Sequence, residues 1–207
     1  MGPGDRDTVL SIGAEAGFFG QPVEAILDDR SIFCDLQYRY YVDLEPGHAW
    51  VAEVQGRVVG AIVGTADTRA MRGQWLRRVL PGFVWRAITC RYRLGRRSVR
   101  RLVPHVLSAL RSEAPRVDLT AYPAQLHINV SAEERGRGLG RGLMEAFLAQ
   151  LRQEGSPGVH LRTTNLNVAA CGLYSSMGFV LMAERRTREW EDVIPGPAFN
   201  RVYGLRL

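Results

Sequence analysis

The residues best equipped for chemistry lie between Gln125 and Arg141, in the stretch QLHINVSAEERGRGLGR. Gln125, His127, Asn129 and Ser131 alternate with Leu126, Ile128 and Val130, so on a strand the polar set shares one face and the apolar set the other. Next come Gly136, Gly138, Gly140 and Gly142, interleaved with Arg135, Arg137 and Arg141 and opening onto a helical pattern. A strand, a glycine loop and a helix start make a cradle for an anion. The first N–H groups of a helix have no carbonyl partner within it and gather partial positive charge, and residues without Cβ let a diphosphate approach the main chain. Two phosphate loops are excluded by spacing. The Walker pattern ends in Gly-Lys-Ser/Thr, and this chain contains no lysine; the dinucleotide fingerprint needs G-x-G-x-x-G and an acid about twenty residues on, and neither is here.

What fits is Arg135-x-x-Gly138-x-Gly140, which resembles the acetyl-coenzyme A loop of the Gcn5-related N-acetyltransferases, Q/R-x-x-G-x-G/A. Further on, behind a strand pattern from Val159 to Thr163, the segment NLNVAACGLYSSMGFV sets Asn167, Ala170, Tyr174, Gly178 and Phe179 in N-x-x-A-x-x-x-Y-x-x-x-G-F, the closing motif of the same superfamily. On these two motifs the chain is identified as a member of the superfamily. The resemblance implies an α/β (α+β) fold in one domain, residues 1–207, with a mixed central sheet splayed between the family's fourth and fifth strands and flanked by helices. It implies acetyl-coenzyme A as cofactor and a primary amine, on a small molecule or a peptide, as acceptor. HINV followed by RGRGLG, together with YYVDLEPGHAWVAE, is also similar to bacterial acetyltransferases related to the acetyltransferase-like domain of O-GlcNAcase. Some members of that group are non-catalytic, which leaves a second reading: a pseudo-acetyltransferase that holds acetyl-coenzyme A as an interaction module.

Acetyl transfer to an alkylamine needs the neutral amine, about one in two thousand molecules at pH 7 for a pKa near 10.4. It also needs a base, a donor for the developing oxyanion and an acid for the leaving thiolate. The resemblance implies that the pantetheine arm pairs with the main chain of Ile128, Asn129 and Val130 like an added strand. It places the pyrophosphate on the N–H groups of Gly136, Arg137, Gly138, Leu139, Gly140 and Arg141, with Arg135 acting through its backbone. Asn167 and Ala170 belong to the part of the motif that meets the pantetheine, and Tyr174 matches the tyrosine that protonates the leaving sulfur. The base stays open. Asn129 stands where relatives often carry aspartate and cannot accept a proton, so the role falls to His127, with a reference pKa of about 6.5, to Glu53 or to a water.

The elements that must position these groups are legible to differing degrees. Residues 7–17 and 22–29 read as short helices, and a third helix starts at Ser31 as N-cap and runs to Val42, carrying Phe33, Tyr38, Tyr40 and Tyr41 as core and groove wall. Residues 48–54 and 57–65 read as a hairpin around Gln55-Gly56. The strand with which the family begins has no counterpart before the first helix, which leaves a shortened start or an open sheet edge. Residues 69–116 form an insertion with thirteen arginines and one acid, Glu113. It reads as helical, broken near Pro81-Gly82 and ending in an amphipathic helix over 98–112 with apolar Val99, Leu102, Val103, Val106, Leu107 and Leu110. A helix over 138–154 and strands over 180–187 and 199–207 complete the pattern.

The composition, 46% hydrophobic and 23% charged, is that of a soluble globular protein. Cys34, Cys90 and Cys171 lack metal-ligand spacing and read as reduced thiols in a cytoplasm, with no metal expected. The opening residues lack the pattern of a signal peptide, and no apolar run is long enough for a membrane span. Net charge is +6 and all 27 basic residues are arginine. The arginines of 69–116 read as a solvated cover or as a site for an acidic partner; no recognised nucleic-acid motif is present, and an open sheet edge offers a route to a homodimer.

Overall fold

The computed structural model describes residues 1–191 and 193–207. In chain order its elements are helices α1 (Arg6–Ala16), α2 (Arg30–Gln37) and α3 (Arg39–Leu44), then strands β1 (Ala49–Val54) and β2 (Arg57–Thr65). Helices α4 (Thr68–Gln74), α5 (Leu80–Ile88) and α6 (Arg96–Leu110) follow, then β3 (Ala124–Val130), α7 (Leu139–Gln153), β4 (Gly158–Thr164), α8 (Val168–Ser176), β5 (Val180–Thr187) and β6 (Ala198–Arg206). The strands form one mixed sheet in the order β1-β2-β3-β4-β6-β5.

Every neighbouring pair is antiparallel except β3 and β4, which run parallel and meet only at Ala124↔Val159 and Gln125↔His160. Past Gln125 they part, so the β4-facing main chain of Leu126 to Val130 has no strand partner, while its other edge stays paired with β2 from Thr65 to Gly60. This is the splay that the two motifs predict.

The alternation of β3 and β4 sorts their side chains onto two faces. Leu126, Val159 and Leu161 join Ile62 under α7, whose Leu143, Met144, Phe147, Leu148 and Leu151 are all buried. Phe147 presses so closely on β2 that a Cβ on Gly64 would lie 2.4 Å from its ring. The opposite face packs beneath α1 and α3, where Val9, Tyr38, Tyr40, Tyr41 and Val63 form a second cluster.

Several helical expectations change. Residues 22–29 hold only a 3-10 turn, Val23–Ala25. The third helix is split at Tyr38 (φ −120°, ψ −33°), and its N-cap is Asp29, whose carboxylate accepts from the Ser31 N–H at 2.9 Å. No strand precedes β1 among the described residues; at that sheet edge the Met1 ammonium donates to Ala49 O at 3.0 Å. Pro81 does not break the insertion. A wide π turn, Trp75–Val79, precedes it, with the Leu80 N–H reaching back to Trp75 O, and the ring enters the first turn of α5, where its missing N–H is no loss.

The largest reversal is in α6. Its predicted apolar face points outward, with Val99, Val103, Val106 and Leu110 at 52%, 51%, 53% and 76% exposure, while Ser98, Arg101 and Ser108 are buried. Polar anchors decide the orientation. The Ser98 N–H and Oγ donate to Asp28 at 2.9 and 3.0 Å, and Arg101 donates to Glu189 O at 2.8 Å, pairs with the Glu189 carboxylate and lies 3.6 Å over the Trp190 ring.

Candidate active site

Where β3 and β4 part, the sheet opens into a cavity of about 640 Å³ on the side covered by α1, α2 and α3. Three polar side chains of β3 face it. Gln125 Nε2 donates to Tyr41 Oη at 3.0 Å, and Asn129 Nδ2 donates to Tyr38 Oη. Asn129 is therefore a fixed amide that orients a tyrosine. His127 lies between those two rings, 5.8 Å from Tyr38 and 5.4 Å from Tyr41. Burial, assisted by the nearby His160, pushes its pKa down to about 4, so the imidazole is neutral at pH 7.

Tyr174, on α8, reaches the same cavity from the β4 side. It is buried against Phe179 and Tyr203, with ring centroids 6.1 and 5.7 Å away, and burial holds its pKa well above that of a free phenol. The group is thus kept as O–H, able to donate. Asn167 begins α8 as its N-cap; Oδ1 accepts from Ala170 N–H at 3.3 Å, which leaves Nδ2 as the end that can serve a ligand in the cavity. Ala170 packs against the core under α7 and spends its N–H on that cap.

The glycine loop lies beyond the other end of β3. Gly136 and Gly138 adopt φ of +78° and +82°, which only glycine takes at little cost, and a Cβ at either would meet nothing within 4 Å, so their surroundings are open. Gly138 caps α7 in the left-handed conformation, leaving the N–H groups of Leu139, Gly140 and Arg141 in the first turn without helical partners. Arg135 ties the loop to its surroundings, its Nε donating to Val130 O at 3.0 Å and Nη2 to Gly20 O at 2.8 Å. Arg137 pairs with Glu134 at 2.8 Å, and Arg141 Nη2 donates to Ser176 Oγ at 3.1 Å. An open, N–H-rich cradle and an unpaired strand edge suit an extended ligand with a diphosphate at one end.

Of the residues singled out in the sequence, His127, Ile128, Asn129, Asn167 and Tyr174 come together around the cavity, and Arg135 to Arg141 form the neighbouring cradle with Val130. Glu53, on edge strand β1, does not line the cavity. Sequence reading missed Arg72 and Arg162, which do. The signal for Arg162 was the alternation His160, Arg162, Thr164 on β4, which the Gln125↔His160 register places on the face carrying His127. Among the described residues there is no His, Cys, Asp or Glu group able to hold a metal, all three cysteines are free thiols, and no helix is long and apolar enough to cross a membrane. Several insertion arginines act as struts to the rest of the fold, with Arg86 to Asp35 at 2.5 Å, Arg97 to Asp28 at 3.1 Å and Arg101 to Glu189.

Residues 117–179 match the family model described as Acetyltransferase (GNAT) family. Human N-acetyltransferase 8B is 30% identical over 79 residues, 38% of this chain and 35% of that protein. A mycothiol acetyltransferase from Thermobispora bispora is 50% identical over 52 residues, 25% of this chain and 18% of that protein. The matches thus span about a third or less of these relatives' lengths. The crystal structure of SsHAT superimposes with a TM-score of 0.71 at 27% identity, covering 100% of this chain and 95% of that one.

Proposed function

From the match of residues 117–179 to the Acetyltransferase (GNAT) family, we propose that the chain is an N-acetyltransferase that moves the acetyl group of acetyl-coenzyme A to an amine of a small molecule or peptide by direct attack. The observation that carries this reading is the parting of β3 and β4, which leaves an unpaired strand edge beside a cavity lined by a buried phenol, with a positive-φ glycine cradle following the Val130 end of that edge. Acetyl-coenzyme A, the cosubstrate, supplies the acetyl group as a thioester.

The residues divide the work. The main chain of Ile128, Asn129 and Val130 pairs with the pantetheine amides, and Asn167 Nδ2 adds a donor. The N–H groups from Gly136 to Arg141 hold the pyrophosphate, with Arg135 fixing the loop and contributing through its backbone. The Val130 N–H serves as donor to the thioester oxygen. Tyr174, protonated and desolvated, gives its proton to the leaving sulfur as the C–S bond breaks. The proton lost by the amine nitrogen goes to water, with His127 Nε2 or Nδ1 as relay; at a pKa near 4 the imidazole is a weak base and the amine enters neutral. Among the described residues no carboxylate lines the cavity to hold an ammonium ion.

The test is a thiol-release assay with acetyl-coenzyme A against a panel of amines and peptides, beside calorimetric titration of acetyl-coenzyme A, on wild type and Tyr174→Phe. Loss of a positioned acid costs about 10²-fold or more in kcat, with cofactor affinity within about twofold of wild type. Turnover unaffected by Tyr174→Phe removes the acid from the mechanism. Tight binding without turnover of any acceptor favours the pseudo-acetyltransferase, and no binding refutes the reading altogether.

A further inference from the structure

Two arginines line the cavity beside the residues assigned to the cosubstrate. Arg72 stands on α4 and Arg162 on β4, and both line the cavity. The strand register locates Arg72. Thr65 of β2 pairs with Gln125, so α4 starts beside the Gln125 end of β3, whereas the glycine loop follows the Val130 end. The pyrophosphate cradle and Arg72 are thus at opposite ends of that strand. Arg162 lies two residues beyond His160, the register partner of Gln125, on the face of His127.

Their electrostatic setting is unusual for this molecule. Arg86, Arg97 and Arg101 each meet a carboxylate, but among the described residues the guanidinium groups of Arg72 and Arg162 meet no carboxylate or other hydrogen-bond acceptor, and no Asp or Glu lines the cavity. Both side chains keep solvent exposure; partial desolvation on the cavity wall first, and then the charge of Arg72, lower the pKa of Arg162. Two like charges sharing a cavity without a counter-ion are stabilised when an anion binds between them, and planar guanidinium groups match carboxylate and phosphate oxygens. Alongside polar Gln37, Thr163 and Thr164, the wall near them carries the apolar and aromatic side chains of Phe33, Met71, Trp75, Leu76 and Trp190.

Resting on the acetyltransferase reading above, we propose that the acceptor is an amine carrying an anionic group, carboxylate or phosphate, on an apolar or aromatic body, and that Arg72 and Arg162 grip that anion. The same fixed positive charge disfavours an ammonium ion in the cavity, so it helps present the amine in its nucleophilic form.

The experiment compares acceptors matched except for the anion: phenylalanine with phenethylamine, and phosphoethanolamine with ethanolamine. Each is assayed by thiol release with acetyl-coenzyme A, and phenylalanine and phosphoethanolamine are also titrated calorimetrically onto the protein alone, in wild type, Arg72→Gln and Arg162→Gln. At least one anionic acceptor exceeds its counterpart without the anion in kcat/KM by about tenfold, and Arg162→Gln brings that ratio close to one while acetyl-coenzyme A affinity stays within about twofold. The pair that shows the preference identifies carboxylate or phosphate. The proposal is overturned if the amines without an anionic group are equal or better, if the preference survives both substitutions, or if the substitutions weaken acetyl-coenzyme A binding in its place. Anion binding that is lost in Arg162→Gln, seen without any thiol release, sinks the acetyltransferase reading and leaves the anion site standing; no anion binding alongside active acetyl transfer does the reverse.

Discussion

Replacing Gly138 by alanine isolates the cost of the cradle's backbone conformation. The residue sits at φ +82°, ψ −5°, and a Cβ there meets nothing within 4 Å, so no clash contributes. The penalty is that of a left-handed L-residue, about 1–2 kcal/mol. Gly142, four residues on and inside α7, has equally open surroundings, with nothing within 4 Å of an added Cβ, yet its backbone is right-handed helix, where alanine is favoured over glycine by about 0.5–1 kcal/mol. The same substitution therefore has opposite signs at the two sites, a difference of about 1.5–3 kcal/mol. Urea unfolding monitored by circular dichroism, with an unchanged m-value, reads it directly. If the loop of Gly138→Ala relieves the strain by moving, the first-turn N–H groups of α7 are misaligned and acetyl-coenzyme A affinity falls with stability. A Gly138→Ala protein as stable as wild type and with full cofactor affinity is incompatible with a strained left-handed cap, as is a Gly142→Ala protein destabilised by more than about 1 kcal/mol with an unstrained helical Gly142.

Other outcomes follow from the same geometry. His48 contacts Glu154 through Nε2 at 2.9 Å and has Glu45 Oε1 2.9 Å from Nδ1, an ion contact without the alignment of a hydrogen bond; Glu45 first, and Glu154 after it, raise its pKa to about 9. Because the folded pKa is above the unfolded value near 6.5, its stabilisation is complete below pH 6.5 and is lost as pH rises through about 9; His48→Gln removes that slope in urea titrations run from about pH 6 to 10. His127, with a pKa near 4, gives kcat/KM no inflection between about pH 5.5 and 7.5, and a limb near 6.5 that disappears in His127→Gln contradicts its placement. Phe147→Ala empties the fully buried contact between α7 and β2 and costs about 3–5 kcal/mol in the same unfolding assay, while a loss under about 1 kcal/mol contradicts the packing.

The glycine cradle and the α7 stripe were legible because each depends on residues close in sequence: Arg135, Gly138 and Gly140 follow β3 directly, and Leu143 to Leu151 repeat at helical spacing; the splay, between strands more than thirty residues apart, was legible only through the resemblance that the two motifs carry. The orientation of α6 was not. Its apolar periodicity specifies an amphipathic helix, but the inward face is chosen by Asp28 and Glu189, which lie 70 and 88 residues from Ser98 and Arg101. The split at Tyr38 is similar, since that ring is held by Asn129 across 91 residues and by close packing on Gly13, where a Cβ would lie 2.8 Å away. Arg72 and Arg162 become neighbours only through the pairing of three strands, β2, β3 and β4, and so could not be paired from their spacing alone.

Amide hydrogen exchange followed by mass spectrometry, with and without acetyl-coenzyme A, reads out whether the cosubstrate lies along the β3 edge and the glycine cradle. New protection is expected at the β3 edge from Ile128 to Val130, in the cradle from Gly136 to Arg141 and at the start of α8 from Asn167 to Ala170, and nowhere else. Unchanged exchange in all three segments, or protection only on the outward face of α6, contradicts that placement.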